Sequence, residues 1–394
     1  MTKKIEQLTG ELADKRDGWL EGISLSRELL LSNLNIISQV PVETFREEKR
    51  ATILQERFLA SHVPEPSADD VDNVSGIIQG RNSERRILIF AHMDHQPEMA
   101  IDENIVISRD RVTGRGVPED DLALASLITL PDILSRLDLK LSSDVILLAS
   151  TRSHGRGDLE GIRHFLDQYP DDIGLAINLI GIPLGTVDYF SLAKVRCDIN
   201  SQTEEEPEPA WSKGINTSAI LAINAVINEI SSILLPKQPK TTINIGMISG
   251  GERYSIISTN AEIKLEVLSQ DDELMETIIE EIHDRCIDVS AKYDVLITTD
   301  FFGRHQAAGL SYSHPLVKTA GSIIGLLGYR PIVSYNNSEI AVPLSRSIPT
   351  VSLGVTTGAM SGKKRGYVNL PPLASGILQI VMLLHAIDHG YCDG

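Results

Sequence analysis

The sequence predicts an α/β protein: a doubly wound, mainly parallel sheet interrupted by a smaller α+β domain. Three observations carry this. Continuous apolar runs at 74–78, 86–91 and 145–150 are separated by a helical pattern, as in parallel strands buried on both faces. From 192 the order becomes strand, helix, strand, strand, helix, strand, which is a ferredoxin-like unit with two helices on one face of four strands. From His314 the first pattern returns. The expected main domain is therefore 1–191 with 308–394, and the inserted domain 192–307.

Taken in order, the elements follow from periodicity and breakers. Trp19, Ile23, Leu30, Leu34 and Ile37 recur at helical spacing, so 1–62 reads as helical, with a second helix at 42–59 that turns Arg and Glu to water. Pro64, Pro66 and Ser67 break the chain. A helix is predicted at 121–137, kinked or divided by Pro131. In the inserted domain, strands fall at 192–199, 242–248, 261–268 and 295–301. Its helices fall at 217–235 and from a cap at Asp271 to about Tyr293. The segment 201–209, rich in Glu and Pro, reads as a solvated loop. A helix at 316–327 ends at Gly328, a strand spans 350–355, and a last helix spans 373–387.

Composition narrows the function classes. The 394 residues carry a formal net charge of −18, a poor match for nucleic acid or an anionic membrane, whose phosphates need clustered Lys and Arg. Cys197, Cys286 and Cys392 lie far apart and form neither a metal spacing nor a disulfide framework. Met1 is followed by polar residues rather than an apolar leader, and the longest apolar run, 377–387, is shorter than the ~20 residues that span a bilayer. A cytoplasmic protein with no nucleic-acid or membrane partner is expected.

Two local patterns could carry chemistry. The run Ile87-Leu88-Ile89-Phe90-Ala91-His92-Met93-Asp94-His95 delivers His-x-Asp at the carboxyl end of a buried strand. Ligands of open α/β sheets bind at such ends, and an aspartate can orient a metal-binding histidine. The run Gly114-Arg115-Gly116-Val117-Pro118-Glu119-Asp120-Asp121 places acids before a helix, where they either suit its dipole or bridge cations.

In this order and spacing the chain resembles the co-catalytic zinc exopeptidases of the aminoacylase, peptidase T, carboxypeptidase G and succinyl-diaminopimelate desuccinylase type. Their signature is G-H-x-D and then, roughly 25 to 50 residues on, G-x-x-D-D-K. Further likenesses are 176–181 to I-N-L-E-G, 246–251 to G-x-x-x-G-G, 256–257 to N-x-I-P, 261–267 to A-x-x-x-x-D-x-R, and 354–358 to G-x-T-T-G. The resemblance spans nearly the whole chain. It implies a zinc-exopeptidase fold whose inserted domain is a lid or dimerisation domain. It places the first metal-binding histidine at His92, its orienting aspartate at Asp94, and the bridging aspartate at Asp120, preferred because Asp-Asp-x-Ala then matches, or at Glu119 if the alignment is ungapped.

The departures are as informative. Ala91 stands for the first glycine of the motif and Leu122 for its lysine. The T-x-x-E-E motif, which holds the general base and a zinc ligand, is replaced by Ser150-Thr151-Arg152-Ser153-His154-Gly155. The acidic ligand of I-N-L-E-G falls on Ile180, and the last ligand histidine falls near Ser361 or Gly362. No histidine lies in 201–211 to stand for the family's oxyanion donor. Loss of the base removes about 10²–10⁴-fold of rate and loss of the oxyanion donor about 10²–10³-fold.

The expectation is therefore a pseudoenzyme that has lost two-zinc amide hydrolysis. It would bind no metal or one divalent cation such as zinc, accept a peptide-like or acylamino ligand, and form a homodimer through the inserted domain. The alternative is a hydrolase of amide bonds in small peptides or acyl-amino acids. It would use a rearranged single-metal site in which His154 joins His92 and Asp120. A register slip bringing Asp158 or Glu160 into the site stays open. Lys363-Lys364-Arg365 would repel zinc or bind an anion, and Arg304 and His305 would either meet a carboxylate or form a polar hinge. A dinucleotide loop at 155–161 is disfavoured by its broken glycine spacing.

Overall fold

Seven strands share one sheet in the order Ser67–Ala68, Val74–Ile78, Asp144–Ser150, Arg86–His92, Ile173–Ile180, Thr350–Gly354, Val187–Asp188. The structure is a computed structural model, and it describes residues 2–82, 85–96, 104–169, 173–203, 209, 218–334, 339–361 and 365–393. By its contacts the chain divides into two units, Met1–Phe190 with Gly309–Gly394, and Ser191–Ala308.

In the first unit the four inner strands are parallel and the three at the edges run antiparallel to their neighbours. The runs at 86–91 and 145–150 have no polar alternation because both faces are covered. Val74–Ile78, expected to be parallel and buried on both faces, instead runs antiparallel towards the sheet edge and is only half-buried. Successive side chains point to opposite faces. Ile87, Ile89, Val145 and Leu147 accordingly join a core with the helices Arg27–Ser38, Leu122–Arg136 and Leu373–Asp388. Leu88, Phe90, Ile146 and Leu148 join a separate core with the helix Glu160–Gln168. A second sheet, absent from the sequence reading, pairs Gly358–Ser361, Arg365–Asn369, Arg111–Gly114 and Val106–Ile107. Its strands are too short, and three of the four carry a glycine, so they show no period.

The helix expected at 42–59 begins later, at Glu48–Ala60, and its arginines do not all face water. Arg50 is fully buried. Its guanidinium donates to the carbonyls of Val40 at 2.7 Å, Met93 at 2.7 Å and Ile37 at 3.0 Å, and meets Asp121 Oδ1 at 3.1 Å. Pro131 does not divide its helix, which runs unbroken over Leu122–Arg136. Proline removes one N–H there, but Leu127, Ile128, Leu130, Ile133 and Leu134 are all buried around it.

The second unit is a four-stranded antiparallel sheet ordered Thr241–Gly250, Asn260–Ser269, Ala193–Gln202, Leu296–His305. Helices Ala219–Ser231 and Asp272–Tyr293 share its core. The Asp271 carboxylate caps the second helix, accepting from Leu274 N at 2.8 Å. Asn260–Ser269 alternates buried and part-exposed residues, as a sheet covered on one face requires. Cys197 and Cys286 lie in this core, and burial pushes the Cys286 thiol up to about 12. Among the described residues no helix is long and apolar enough to cross a membrane.

Burial opposes charge on Asp121, but Arg50, His95 and Ser38 outweigh it and lower its pKa from 3.8 to about 2. A depressed carboxylate contributes stability above its unfolded value and loses it as pH falls through the folded value. Asp121→Asn should cost about 3–5 kcal/mol near neutrality, since it strands a buried guanidinium. The gap between wild type and variant in urea titrations should close as pH drops from 3.8 toward about 2. A gap that stays constant over that window would contradict the assignment.

Candidate metal centre

Strand register assembles the site. His92 ends its strand directly opposite Ser150, the last residue of the parallel neighbour. The segment that follows Ser150 therefore begins beside His92. It turns sharply, with Arg152 at φ 51°, Gly155 at 55° and Asp158 at 50°. The Asp94 carboxylate fastens the turn, accepting from Ser153 N at 3.0 and 2.9 Å, His154 N at 3.1 Å and Thr44 Oγ1 at 2.7 Å. His154 then stands edge-on to His92, with ring centroids 4.9 Å apart.

The third component comes from a π-helical turn, Val117–Asp121. The N–H groups of Glu119, Asp120 and Asp121 all converge on the Gly116 carbonyl, at 3.0, 3.0 and 3.3 Å. Gly116 has φ +69°, and a Cβ there would come within 2.5 Å of His95 Nε2. The extra residue in the turn sends adjacent carboxylates to different partners. Asp121 meets Arg50, and His95 Nε2 at 3.1 Å, while Asp120 Oδ1 meets His92 Nε2 at 2.5 Å. This favours Asp120 over Glu119 as the inward acid. Glu119 is nevertheless pushed up to about 7, by burial and by the charges of Asp120 and Asp121.

His92 is oriented from behind. Its Nδ1 lies 3.1 Å from the Asp94 carbonyl and 3.7 Å from the Asp94 carboxylate, so backbone rather than carboxylate is the nearer partner. Burial resists charge on His92. The carboxylates of Asp120 and Glu339 outweigh it and raise the imidazole well above 6.5. Glu339 was not singled out in the sequence. It is a buried residue whose Oε1 lies 3.7 Å from His92 Nε2. A lone glutamate far along the chain carries no local signal. His154 moves the other way, lowered by burial and by the charge of His92.

The donor atoms of His92, Asp120 and His154 all lie within 4.8 Å of one another, the one such group among the described residues. Two of their atoms, Asp120 Oδ2 and His154 Nε2, are buried without a hydrogen-bond partner. An orphaned buried acceptor costs about 1–3 kcal/mol, and a cation would satisfy both at once. The set fits one cation but not two. Ile180 has no donor atom, and Thr151 is spent on Val71 O at 2.7 Å. Asp158 pairs with Arg163 at 3.3 Å and Glu160 with Arg152 at 2.8 Å, so neither enters the cluster. Gly362, Lys363 and Lys364 lie outside the described residues, as does the Ser361 side chain and most of 204–217. Arg304 pairs with Glu276 at 3.0 Å in the second unit.

Residues 209–294 match the peptidase dimerisation domain family. Among solved structures, the chain is similar to the aminopeptidase PepT from Bacillus cereus, with 18% identity, 92% of this chain and 98% of that one covered, and a TM-score of 0.72. It is similar to a tripeptidase from Staphylococcus aureus, with 17% identity, 92% and 99% coverage and a TM-score of 0.76. It is also similar to the Bacillus subtilis YXEP protein, a dinuclear metal-binding peptidase of the M20 family, with 16% identity, 92% and 98% coverage and a TM-score of 0.64. By sequence it matches none of the curated proteins. The chain thus has the fold of these peptidases and, among the described residues, one group of three donor residues that could hold a metal ion.

A metal-binding imidazole must be neutral. Because the pKa of His92 is raised, its protonated form persists well above 6.5 and competes with any cation. Zinc affinity should therefore fall as pH is lowered through that range, with proton release on binding in calorimetry in buffers of different ionisation enthalpy. Binding independent of pH would remove His92 from the ligand set.

Proposed function

We propose that this protein is a member of the M20 peptidases that keeps one cation site and has lost two-metal amide hydrolysis. The carrying observation is the asymmetry of the site. Three donors converge with two orphaned atoms, while the position expected to supply the acidic second-metal ligand holds Ile180. His92, Asp120 and His154 would hold the ion, and N/O donors of this kind suit zinc. When bound, such an ion supplies Lewis acidity. The rest is the work of the chain. Asp94 is a positioning residue: its carbonyl aims His92, and its carboxylate fixes the backbone that presents His154. No glutamate stands at the former base position, and His154, which stands at or beside it, would be occupied as a ligand of the ion.

The similar structures are those of an aminopeptidase, a tripeptidase and a metal-binding peptidase, which supports a peptide-like or acylamino ligand at the strand ends. A homodimer through Ser191–Ala308 is supported by the family match and by the outer strand Thr241–Gly250, where Met247 is 58% and Ile248 63% exposed. The net charge of −18 argues against nucleic acid as a partner. We place the protein in the cytoplasm because its three cysteines are free and buried, as suits a reducing compartment.

One observation favours a second reading, a single-metal hydrolase. Burial and the charge of His92 lower the His154 imidazole below its ordinary range, and its Nε2 has no hydrogen-bond partner, which suits a general base. The same nitrogen cannot serve as ligand and base together. Metal analysis with assays on dipeptides and acyl-amino acids separates the two readings. The expected outcome is no more than one ion per chain, and hydrolysis at least about 10⁴-fold below that of an intact two-zinc enzyme. Efficient turnover abolished by His92→Ala would establish the hydrolase instead. In light scattering, the isolated protein should run as a dimer, and Ile248→Asp should shift it toward monomer.

A further inference from the structure

We infer that Glu339 is the fourth ligand of the cation site, making it a centre of two imidazoles and two carboxylates. The inference rests on the one-cation reading above and extends it.

Three observations converge. The Glu339 side chain is only 6% exposed, and buried carboxylates persist only where a cation or hydrogen-bond donors compensate them. The ionisable group it meets is His92, whose Nε2 lies 3.7 Å from Oε1. That nitrogen is also the atom Asp120 Oδ1 approaches at 2.5 Å, so the two carboxylates reach one donor from different elements. The atoms left without partners, Asp120 Oδ2 and His154 Nε2, belong to the same group.

Charge balance gives the reason. A divalent ion held by two neutral imidazoles and one carboxylate leaves a net positive charge in a buried site. A second carboxylate cancels it and completes the four N/O donors that a closed zinc site takes. Glu339 is also placed to do this by local structure. It lies two residues before the short helix Ala341–Ser345, most of which is buried, and its carbonyl accepts from Val342 N at 3.3 Å. Ile340 and Ala341 are buried beside it, which seats the turn in the core rather than in solvent. The nearest sequence motif gives no hint of this, since the resemblance carries no metal ligand at that position.

Cobalt(II) titration of the full chain, read by visible absorption, tests the inference. Wild type should take up one cobalt per chain with the intense bands of a four-coordinate site. Glu339→Gln keeps the shape and removes the charge. It should weaken cobalt affinity at least about 10–100-fold, the range for losing even an outer partner, and shift the absorption bands. Glu339→Asp should recover part of the affinity. If Glu339→Gln binds cobalt with unchanged affinity and spectrum, Glu339 is not a ligand and the one-cation reading survives. Weaker binding with an unchanged spectrum would likewise overturn the ligand assignment, leaving Glu339 as a partner of His92. If wild type takes up no cobalt, both the inference and the reading beneath it fall. Should the variants fail to fold, anomalous scattering from zinc-loaded wild-type crystals decides: an ion bound by His92 and Asp120 but out of bonding distance of Glu339 would overturn the assignment.

Discussion

The buried pair between Arg50 and Asp121 is the constraint on which the site depends. Arg50 gathers carbonyls from the end of one helix, a loop and the residue after His92, and closes the arrangement on a carboxylate at 3.1 Å. Buried ion pairs gain little net stability against apolar replacements, but losing one partner is severe. Here the pair fixes geometry. Asp121 is also held by Ser38 at 2.8 Å and by His95, so the turn that carries it has no freedom to rotate. Its neighbour Asp120 is then aimed at His92. The positive φ of Gly116 and the lack of a Cβ there are conditions of that same packing.

The opposite half of the site is organised by a second carboxylate in a different way. Asp94 accepts from two successive backbone N–H groups and a hydroxyl. Burial resists its charge, but the hydrogen bond and charge of His92, with His154 and Thr44, hold it well below the ordinary carboxylate range. Its role is to stabilise the left-handed turn after Ser150. A strand end and two anchored turns thus hold His92, Asp120 and His154 together in a geometry that could take one ion. Scaffold and chemistry are separable because backbone hydrogen bonds and apolar packing hold the first, while a few side chains supply the second.

The two sheets show how covering determines pattern. In the first unit the strand Asp144–Ser150 is buried at every position, because helices lie on both faces. In the second, Asn260–Ser269 alternates, because helices cover one face. Both patterns are legible in the residues, and so were most element positions. The small sheet of 106–114 with 358–369 was not, since short strands carry no period and their pairing joins segments far apart in the chain. The inward face of Arg50 was missed for a related reason. A charged residue in a helix reads as wet unless its buried partners, here carbonyls from three other places, are known.

Sequence alone determined the strand–helix order, the interruption by a ferredoxin-like unit, and the candidates His92, Asp94, Asp120 and His154. These follow from local periodicity and from motifs a few residues long, which chain connectivity keeps together. Only tertiary structure decided that His154 meets His92, that the Asp120 carboxylate reaches His92 Nε2 while Asp121 turns to Arg50, and that Glu339 stands beside them. Each of those facts turns on the register between strands, on a π-helical turn, or on a contact between residues far apart in sequence. Such distances are closed by packing of the core, and no short stretch of residues encodes them.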